Sequence, residues 1–214
     1  ICSYASEVKT AAESLLGIIN DILDISKIEE GRLTLVKVKY DLGELIGDVH
    51  NLIKFRAQAK ELNFVVEVDS TLPTVLRGDD IHLKQILTNL LTNAVKYTHK
   101  GTVRFSVAPH HDGIRFSVKD TGIGIKQEDI SRLFNAFDRI EETRNRSIEG
   151  TGLGLNITWS LLRMLGSELH VDSVYGKGSE FWFVLEQEVV DETPIGLLQL
   201  GAREHHHKAY SVGF

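Results

Sequence analysis

A single cysteine, Cys2, among 214 residues excludes an internal disulfide. No Cys or His positions carry the spacing of a zinc site, so a reducing compartment is expected and zinc is not. Long apolar runs are also missing. Nothing approaches the roughly 18 consecutive apolar residues of a membrane span, and the start at Ile1 lacks the basic and apolar regions of a secretory leader. Positive charge is neither abundant nor clustered. With 24 Lys and Arg against 30 Asp and Glu the net charge is -6, and an acidic chain without a basic stripe is poorly built to neutralise nucleic-acid phosphates. Nucleic acid is therefore not an expected partner.

What is present is an ordinary globular composition, 42% hydrophobic and 25% charged, in a chain long enough for one full core and an appendage. It opens on Ile rather than Met and stops in mid-pattern at Phe214, so it is expected to be a piece of a longer protein. From Val8 to Ile28 the apolar residues form two adjacent stripes, Val8, Ala12, Leu15, Ile19 and Ile22 beside Ala11, Ile18 and Ile25. That is too much apolar surface for a lone helix, and predicts packing in a bundle or on the chain's own domain. Gly31 is placed to end the helix as a left-handed C-cap.

Downstream, an alternating run covers Leu33 to Val38, Asp41 caps a helix from Leu42 to about Ala59, and a strand runs from Leu62 to Val68. Asp79 and Asp80 cap a helix that buries Leu83, Ile86, Leu87, Leu90, Leu91 and Ala94; its other face carries Gln85, Asn89, Asn93 and Lys96. Runs at Val103 to Val107 and Ile114 to Val118 flank the turn at Asp112-Gly113 and read as a hairpin. Residues 127–149 are polar, with a short helix expected, and resemble a mobile lid. A helix follows from about Leu153 to Leu165, then two strands, Glu168 to Val174 and Ser179 to Leu185, joined by Tyr175-Gly176-Lys177-Gly178. The sum is an α+β fold, a two-layer sandwich of a mixed sheet with helices on one face, preceded by one long bundle helix. Beyond Glu188 the signals are weak, and His205 to His207 read as tail sequence.

Three patterns carry chemistry. Asn89 and Asn93 stand one helical turn apart, with Lys96 and Tyr97 a turn further. Neutral carbonyl oxygens beside a lysine suit a magnesium ion that keeps phosphate and water ligands, although a solvated face also fits. Asp120-Thr121-Gly122-Ile123-Gly124-Ile125 ends a strand with a carboxylate acceptor and two glycines that let backbone approach a flat ligand; alone, it is also a common turn. Gly150-Thr151-Gly152-Leu153-Gly154-Leu155 opens a helix, whose free N–H groups attract phosphate. No strand stands directly before it, which argues against a dinucleotide fingerprint.

In this order the patterns are specific. The stretch from about Asp41 to Glu186 closely resembles the catalytic, ATP-binding part of sensor histidine kinases, a branch of the GHKL superfamily with the Bergerat fold. Five motifs carry the resemblance: the N box from His82 to Tyr97, the G1 box Asp120 to Ile125, the F box Leu133-Phe134-Asn135-Ala136-Phe137, the G2 box Gly150 to Leu155, and the G3 box Gly176-Lys177-Gly178-Ser179-Glu180-Phe181. Leu23-Asp24-Ile25-Ser26-Lys27-Ile28-Glu29 likewise resembles the end of the second helix of the family's dimerisation and histidine-phosphotransfer domain. The implied division is 1–31 for that helix, 32–188 for the catalytic domain and 189–214 for a tail or a link towards a receiver domain.

The resemblance implies ATP and Mg²⁺ as cofactors. Asn89, Gln85 and Arg139 would form the catalytic group, with Asn89 and Asn93 at the metal and Arg139 towards the γ-phosphate. Asn93, Lys96, Tyr97, Asp120, Gly122, Gly124, Ile125, Phe137, Gly150, Thr151, Gly152, Leu153, Gly154, Leu155 and Ser179 would bind ATP, with Asp120 accepting from the adenine amino group. It further implies a homodimer through the dimerisation domain, a response-regulator receiver domain as partner, and a cytoplasmic location, with a cell-membrane anchor open for the full-length protein. Gln85 stands where related hydrolytic ATPases carry a glutamate base, and a carboxamide cannot accept a proton near neutral pH. Transfer is thus favoured over hydrolysis, with a hydrolytic GHKL-type ATPase as the alternative. Ser179 replaces the usual threonine. The family's phosphoacceptor histidine has no counterpart here, and His50, His82 and His99 read as surface or structural residues.

Overall fold

The computed structural model describes residues 30–133 and 152–198, together with most positions of a helix between 12 and 28. That helix ends as its sequence predicts. Gly31 takes φ 63°, and Gly31 N–H and Arg32 N–H donate to the carbonyls of Ile28 and Lys27 at 3.0 and 2.8 Å, the paired bonds of a Schellman ending. Ile25 is buried in the main core and Ile28 packs against it, whereas Leu15, Leu16, Ile19, Ile22 and Leu23 remain 44–59% exposed.

The chain continues into β1 (Val38–Asp41), α1 (Leu42–Ala59), β2 (Asn63–Val68), β3 (Pro73–Gly78) and α2 (Asp80–Tyr97). The expected run from Leu33 to Val38 is strand only from Val38 onward. Val36 N–H is taken by the Asp79 carboxylate at 2.8 Å and has no sheet partner to meet. Both long helices start on the predicted caps: Asp41 accepts from Glu44 N–H and Asp79 from His82 N–H, which satisfies one of the orphan donors of each first turn.

β4 (Thr102–His110) and β5 (Gly113–Asp120) form the expected hairpin, followed by a 3-10 turn at Gln127–Arg132, α3 (Gly154–Met164), β6 (His170–Val174), β7 (Gly178–Leu185) and β8 (Glu188–Pro194). Five strands make one mixed sheet in the order β2-β4-β5-β7-β6. β2 runs parallel to β4 and the other neighbours are antiparallel. Alternation sends Phe105, Phe116, Phe183 and Val103 to one face, fully buried, and cross-strand Phe116 and Phe183 stack at 5.2 Å. α1, α2 and α3 cover that face, with α2 packed between the other two.

β1, β3 and β8 form a second, three-stranded sheet. β3 and β8 were not legible from the sequence. β8 is exposed at almost every position and so shows no alternation of burial-prone residues; it is held by pairing with β3 and by the Arg77–Glu188 ion pair at 3.7 Å. The domain edge expected at 188 coincides with its first residue, and Ile195 and Leu198 beyond it still pack on the core.

Candidate functional site

α2 is the spine of the site. Its buried face, Leu83, Ile86, Leu87, Leu90, Leu91, Ala94 and Val95, leaves Gln85, Asn89, Asn93 and Lys96 on the other side, as the spacing predicts. Its middle touches one glycine-rich segment and its end touches another. Asn89 Nδ2 donates to Gly154 O at 3.4 Å, which joins the N box to the start of α3. Ile123 N–H donates to Tyr97 O at 3.2 Å, which joins the last turn of α2 to the loop after β5. Lys60 Nζ donates to the Val95 and Lys96 carbonyls at 2.9 and 2.8 Å, capping a helix end with positive charge. Lys96 Nζ sits 4.9 Å from the centre of the Tyr97 ring.

Asp120 ends β5 and is 6% exposed. Its Oδ1 accepts from Gly122 N–H at 2.8 Å. Burial pushes its carboxyl above the usual carboxylate range, against the opposing pull of backbone bonds from Gly122 and Ser179. Two donors do not exhaust the four lone-pair positions of a carboxylate, so a largely desolvated carboxylate keeps spare acceptor capacity.

The glycine turns around Asp120 are pinned so closely that glycine is obligatory. A Cβ on Gly122 would lie 2.4 Å from Tyr97 O, one on Gly124 2.1 Å from Val174 O, and one on Gly178 2.0 Å from Asp120 O. Gly154 differs, because its Cβ would meet nothing nearer than Asn89 Cγ at 3.8 Å; the fold leaves room there that a ligand can use. Ser179 is 7% exposed, with its hydroxyl 2.9 Å from Ser173 Oγ. Ser173 Oγ also accepts from Ile125 N–H at 2.8 Å. This serine pair ties the third glycine turn to the first.

Asn89, Asn93, Lys96 and Tyr97 therefore lie along α2, Gly122, Gly124, Ile125, Gly152 and Gly154 lie in or at the ends of the two glycine segments it contacts, and Asp120 and Ser179 face each other across β5 and β7. Leu153 is buried in the core and Leu155 packs against it, so their side chains support the site from behind. Phe134, Phe137, Arg139, Gly150 and Thr151 lie outside the described residues. Sequence reasoning missed Lys60, Ser173 and Asp24, which accepts from Gln85 Nε2 at 2.8 Å; each depends on a tertiary contact with no local pattern. At the β4–β5 hairpin tip His110, His111 and Asp112 bring potential ligand atoms within 4.8 Å of one another. These groups satisfy each other: His111 Nε2 lies 2.8 Å from Asp112 Oδ2, and His110 Nδ1 accepts from Asp112 N–H at 3.3 Å. A cavity of about 500 Å³ lies away from the site at the β2–β4 edge, lined by Val66, Val107 and Leu198.

A mixed sheet with helices on one face, an asparagine-bearing helix and glycine turns closed around a buried carboxylate define a nucleotide-binding ATPase domain. The model for the histidine kinase-, DNA gyrase B- and HSP90-like ATPases matches residues 78–189, and the chain belongs to that family. Its relatives include the sensor protein GacS of Pseudomonas syringae pv. syringae, 40% identical over 218 residues, which are 96% of this chain and 24% of that protein. The signal transduction histidine-protein kinase BarA of Escherichia coli (strain K12) is 36% identical over 185 residues, 84% of this chain and 20% of that one. The crystal structure of full-length ShkA in complex with AMPPNP superposes with a TM-score of 0.75 at 32% identity, covering 88% of this chain and 39% of that one. The chain thus spans less than a quarter of the length of the two curated relatives.

Proposed function

We propose that the chain is the ATP-binding, phosphoryl-donating part of a sensor histidine kinase of a two-component system. The buried Asp120 carboxylate carries this reading. Its spare acceptor capacity, at the bottom of a glycine-lined loop, suits the amino group of a purine, and adenine presents one. Asn89 and Asn93 lie along α2, and Asn89 is bonded to Gly154 at the start of α3, so these groups would meet the phosphates of a nucleotide anchored at Asp120.

The residues present fit Mg²⁺. Asn89 donates through Nδ2 to Gly154, which leaves its Oδ1 as a neutral oxygen ligand, and Asn93 supplies a second one turn away. Held there, a magnesium ion would supply positive charge to offset that of the phosphates. In the transfer, an imidazole nitrogen of the acceptor histidine bonds to the γ-phosphorus as the bond from that phosphorus to the β,γ-bridging oxygen breaks. ADP leaves with the electron pair, and the imidazole proton passes to solvent. Asp120 holds the purine, the Gly122–Gly124 loop lets backbone approach it, and Lys96 meets phosphate. Gln85 offers no basic group to activate water, which favours transfer over the hydrolysis of a GHKL-type ATPase.

The same reading extends to a division into a dimerisation-domain helix at 1–31 and a catalytic domain from 32 that continues past the expected edge at 188, because β8 pairs with β3 and Ile195 and Leu198 pack on the core. It makes the whole protein a homodimer that passes its phosphoryl group to a receiver domain. No helix among the described residues is long and apolar enough to cross a membrane. The direct test is to mix the chain with radiolabelled ATP, Mg²⁺ and a separately supplied helical bundle carrying a histidine followed by an acidic residue. Acid-labile, alkali-stable label on the bundle supports the kinase reading; steady phosphate release with no labelled bundle supports the hydrolase.

A further inference from the structure

β2 stands at one end of the five-stranded sheet and pairs only with β4 among the described strands. Asn63 N–H and Asp69 N–H both donate towards β4, to the carbonyls of Gly101 and Val107 at 2.9 Å each. Backbone groups that bond one neighbour alternate along a strand with those that face the other way, so Phe64, Val66 and Val68 turn their N–H and C=O groups outward. The side chains of the same three residues lie on the helix-covered face, packed against the core yet only partly buried. Among the described residues this edge lacks both a bonding partner and full apolar cover, and a bare edge of this kind is one that native sheets close or blunt.

The chain itself arrives at this edge. β8 runs antiparallel to β3 from Glu188, opposite Arg77, to Pro194, opposite Pro73. The bonding outlasts both strands, because Ile195 N–H donates to Leu72 O at 2.7 Å and Gly196 N–H to Ser70 O at 3.1 Å. Gly196 then turns the chain with φ 68°, and Leu197 and Leu198 line a groove together with Val66 and Val68. Leu198 packs on the core and reaches the first turn of α1, where a Cβ on Gly43 would lie 3.0 Å from its Cδ2; Leu197 is 92% exposed. Alternation from Leu198 puts Leu200 and Ala202 on the helix side and Gln199, Gly201 and Arg203 on the outer side, and no proline interrupts the sequence after Pro194. We propose that residues 199–203, which lie beyond the described residues, add to the free edge of β2 as an antiparallel sixth strand, with Leu200 and Ala202 opposite Val66 and Phe64. Residues directly opposite in an antiparallel pair share a face, so Leu200 and Ala202 meet the outward backbone groups of Val66 and Phe64 and cover their side chains as well. The β2 edge is then closed by the chain's own next segment, and whatever follows it is tethered at the end of the sheet opposite β6. This inference stands independently of the kinase reading.

Amide hydrogen exchange, read residue by residue by NMR on the full chain, tests this, with a chain ending at Leu198, Ala202→Pro and Gly201→Pro beside it. In the full chain at low concentration the Phe64 and Val66 amides should be protected. Removal of residues 199–214 should speed exchange at both by roughly tenfold or more, the difference between a bonded ladder and an exposed edge. The Val65 and Glu67 amides face β4 and should keep their rates, whereas a general loss of stability would move all four together. Ala202→Pro removes a donor aimed at β2 and should speed exchange at Phe64. Gly201→Pro should leave it unchanged, because proline is tolerated on an edge strand where its missing N–H faces solvent. Open-edge rates for Phe64 and Val66 in the full chain, protection that survives removal of residues 199–214, or equal effects of the two proline variants would overturn the proposal. Protection that grows with protein concentration, alongside a doubled mass in sedimentation, would also overturn it and give the edge to a second copy of the chain.

Discussion

Asp120 concentrates the recognition chemistry in one carboxylate. Asp120→Asn keeps the shape and loses the charge-assisted acceptor, so adenine-nucleotide affinity should fall by about 1.5 to 3 kcal/mol, read by calorimetry; unchanged affinity would remove Asp120 from the site. Its pH dependence has a definite sign. Burial raises the Asp120 carboxyl above the ordinary range, so the folded state holds this proton at higher pH than the unfolded chain does. Stability from this group is therefore greatest at low pH and declines as pH rises through the raised value. Nucleotide binding runs the other way, because only the ionised form accepts strongly. Affinity should fall on acidification at a pH above that of an unperturbed aspartate, and a titration of Kd against pH from 7 downward checks it.

Glycines separate fold from site at the same scale. Gly124 has φ 66° and its Cβ would meet the Val174 carbonyl at 2.1 Å, so Gly124→Ala should lower the melting temperature together with binding. Gly154 lies inside the first turn of α3 with room for a Cβ. Gly154→Ala should hold or slightly raise stability through its helix propensity, while weakening nucleotide binding. Parallel losses in both measurements for Gly154→Ala would place that residue in the scaffold instead.

Among the elements, α2 bears the largest load, and its N-cap is more than a local device. Asp79 is 3% exposed and accepts from His82 N–H at 3.0 Å and Val36 N–H at 2.8 Å, with His82 Nδ1 2.8 Å away. Burial alone would raise its carboxyl. The backbone bond from His82, the His82 ring, the bond from Val36 and the His82 charge outweigh burial and hold it below the usual range. Stability from Asp79 is therefore fully present above the unfolded-state value and is lost as pH falls through the depressed one. Asp79→Ala should cost about 1 to 2 kcal/mol as a lost cap, plus the cost of stranding Val36 N–H, in denaturant unfolding. An effect under about 0.5 kcal/mol would contradict this account of the N-cap.

What the sequence revealed at this scale follows from pattern strength. α1 and α2 combine an aspartate cap with a clear buried stripe, and both were legible to within a residue at their starts. β4, β5 and β7 alternate cleanly because one face meets the helices. β3 and β8 lie outside that sheet and have no such contrast, so periodicity could not show them. The site was legible where residue type and spacing coincide, as at Asn89, Asn93 and Asp120. Lys60, Ser173 and Asp24 act across 35, 48 and 61 residues of chain, and nothing near them in sequence marks the partner.

At the scale of the whole molecule, one helix links every part of the account. The N-terminal helix meets α2 at Gln85, the linker meets it at Asp79, and the two glycine loops meet it at Asn89 and Tyr97. The N-terminal helix, the linker and both glycine loops thus make contact with a single element. The exposed stripe at Leu15, Leu16, Ile19, Ile22 and Leu23 continues that element-to-element logic outward, towards the partner helices of the proposed dimer.

The measurement that bears most directly on the central claim is calorimetric titration of the chain with ATP, with and without Mg²⁺, repeated on Asp120→Asn. Saturable binding that changes with Mg²⁺ and is weakened at least tenfold in Asp120→Asn is the predicted result. No heat of binding at millimolar ATP, or equal affinity in the variant, would contradict it.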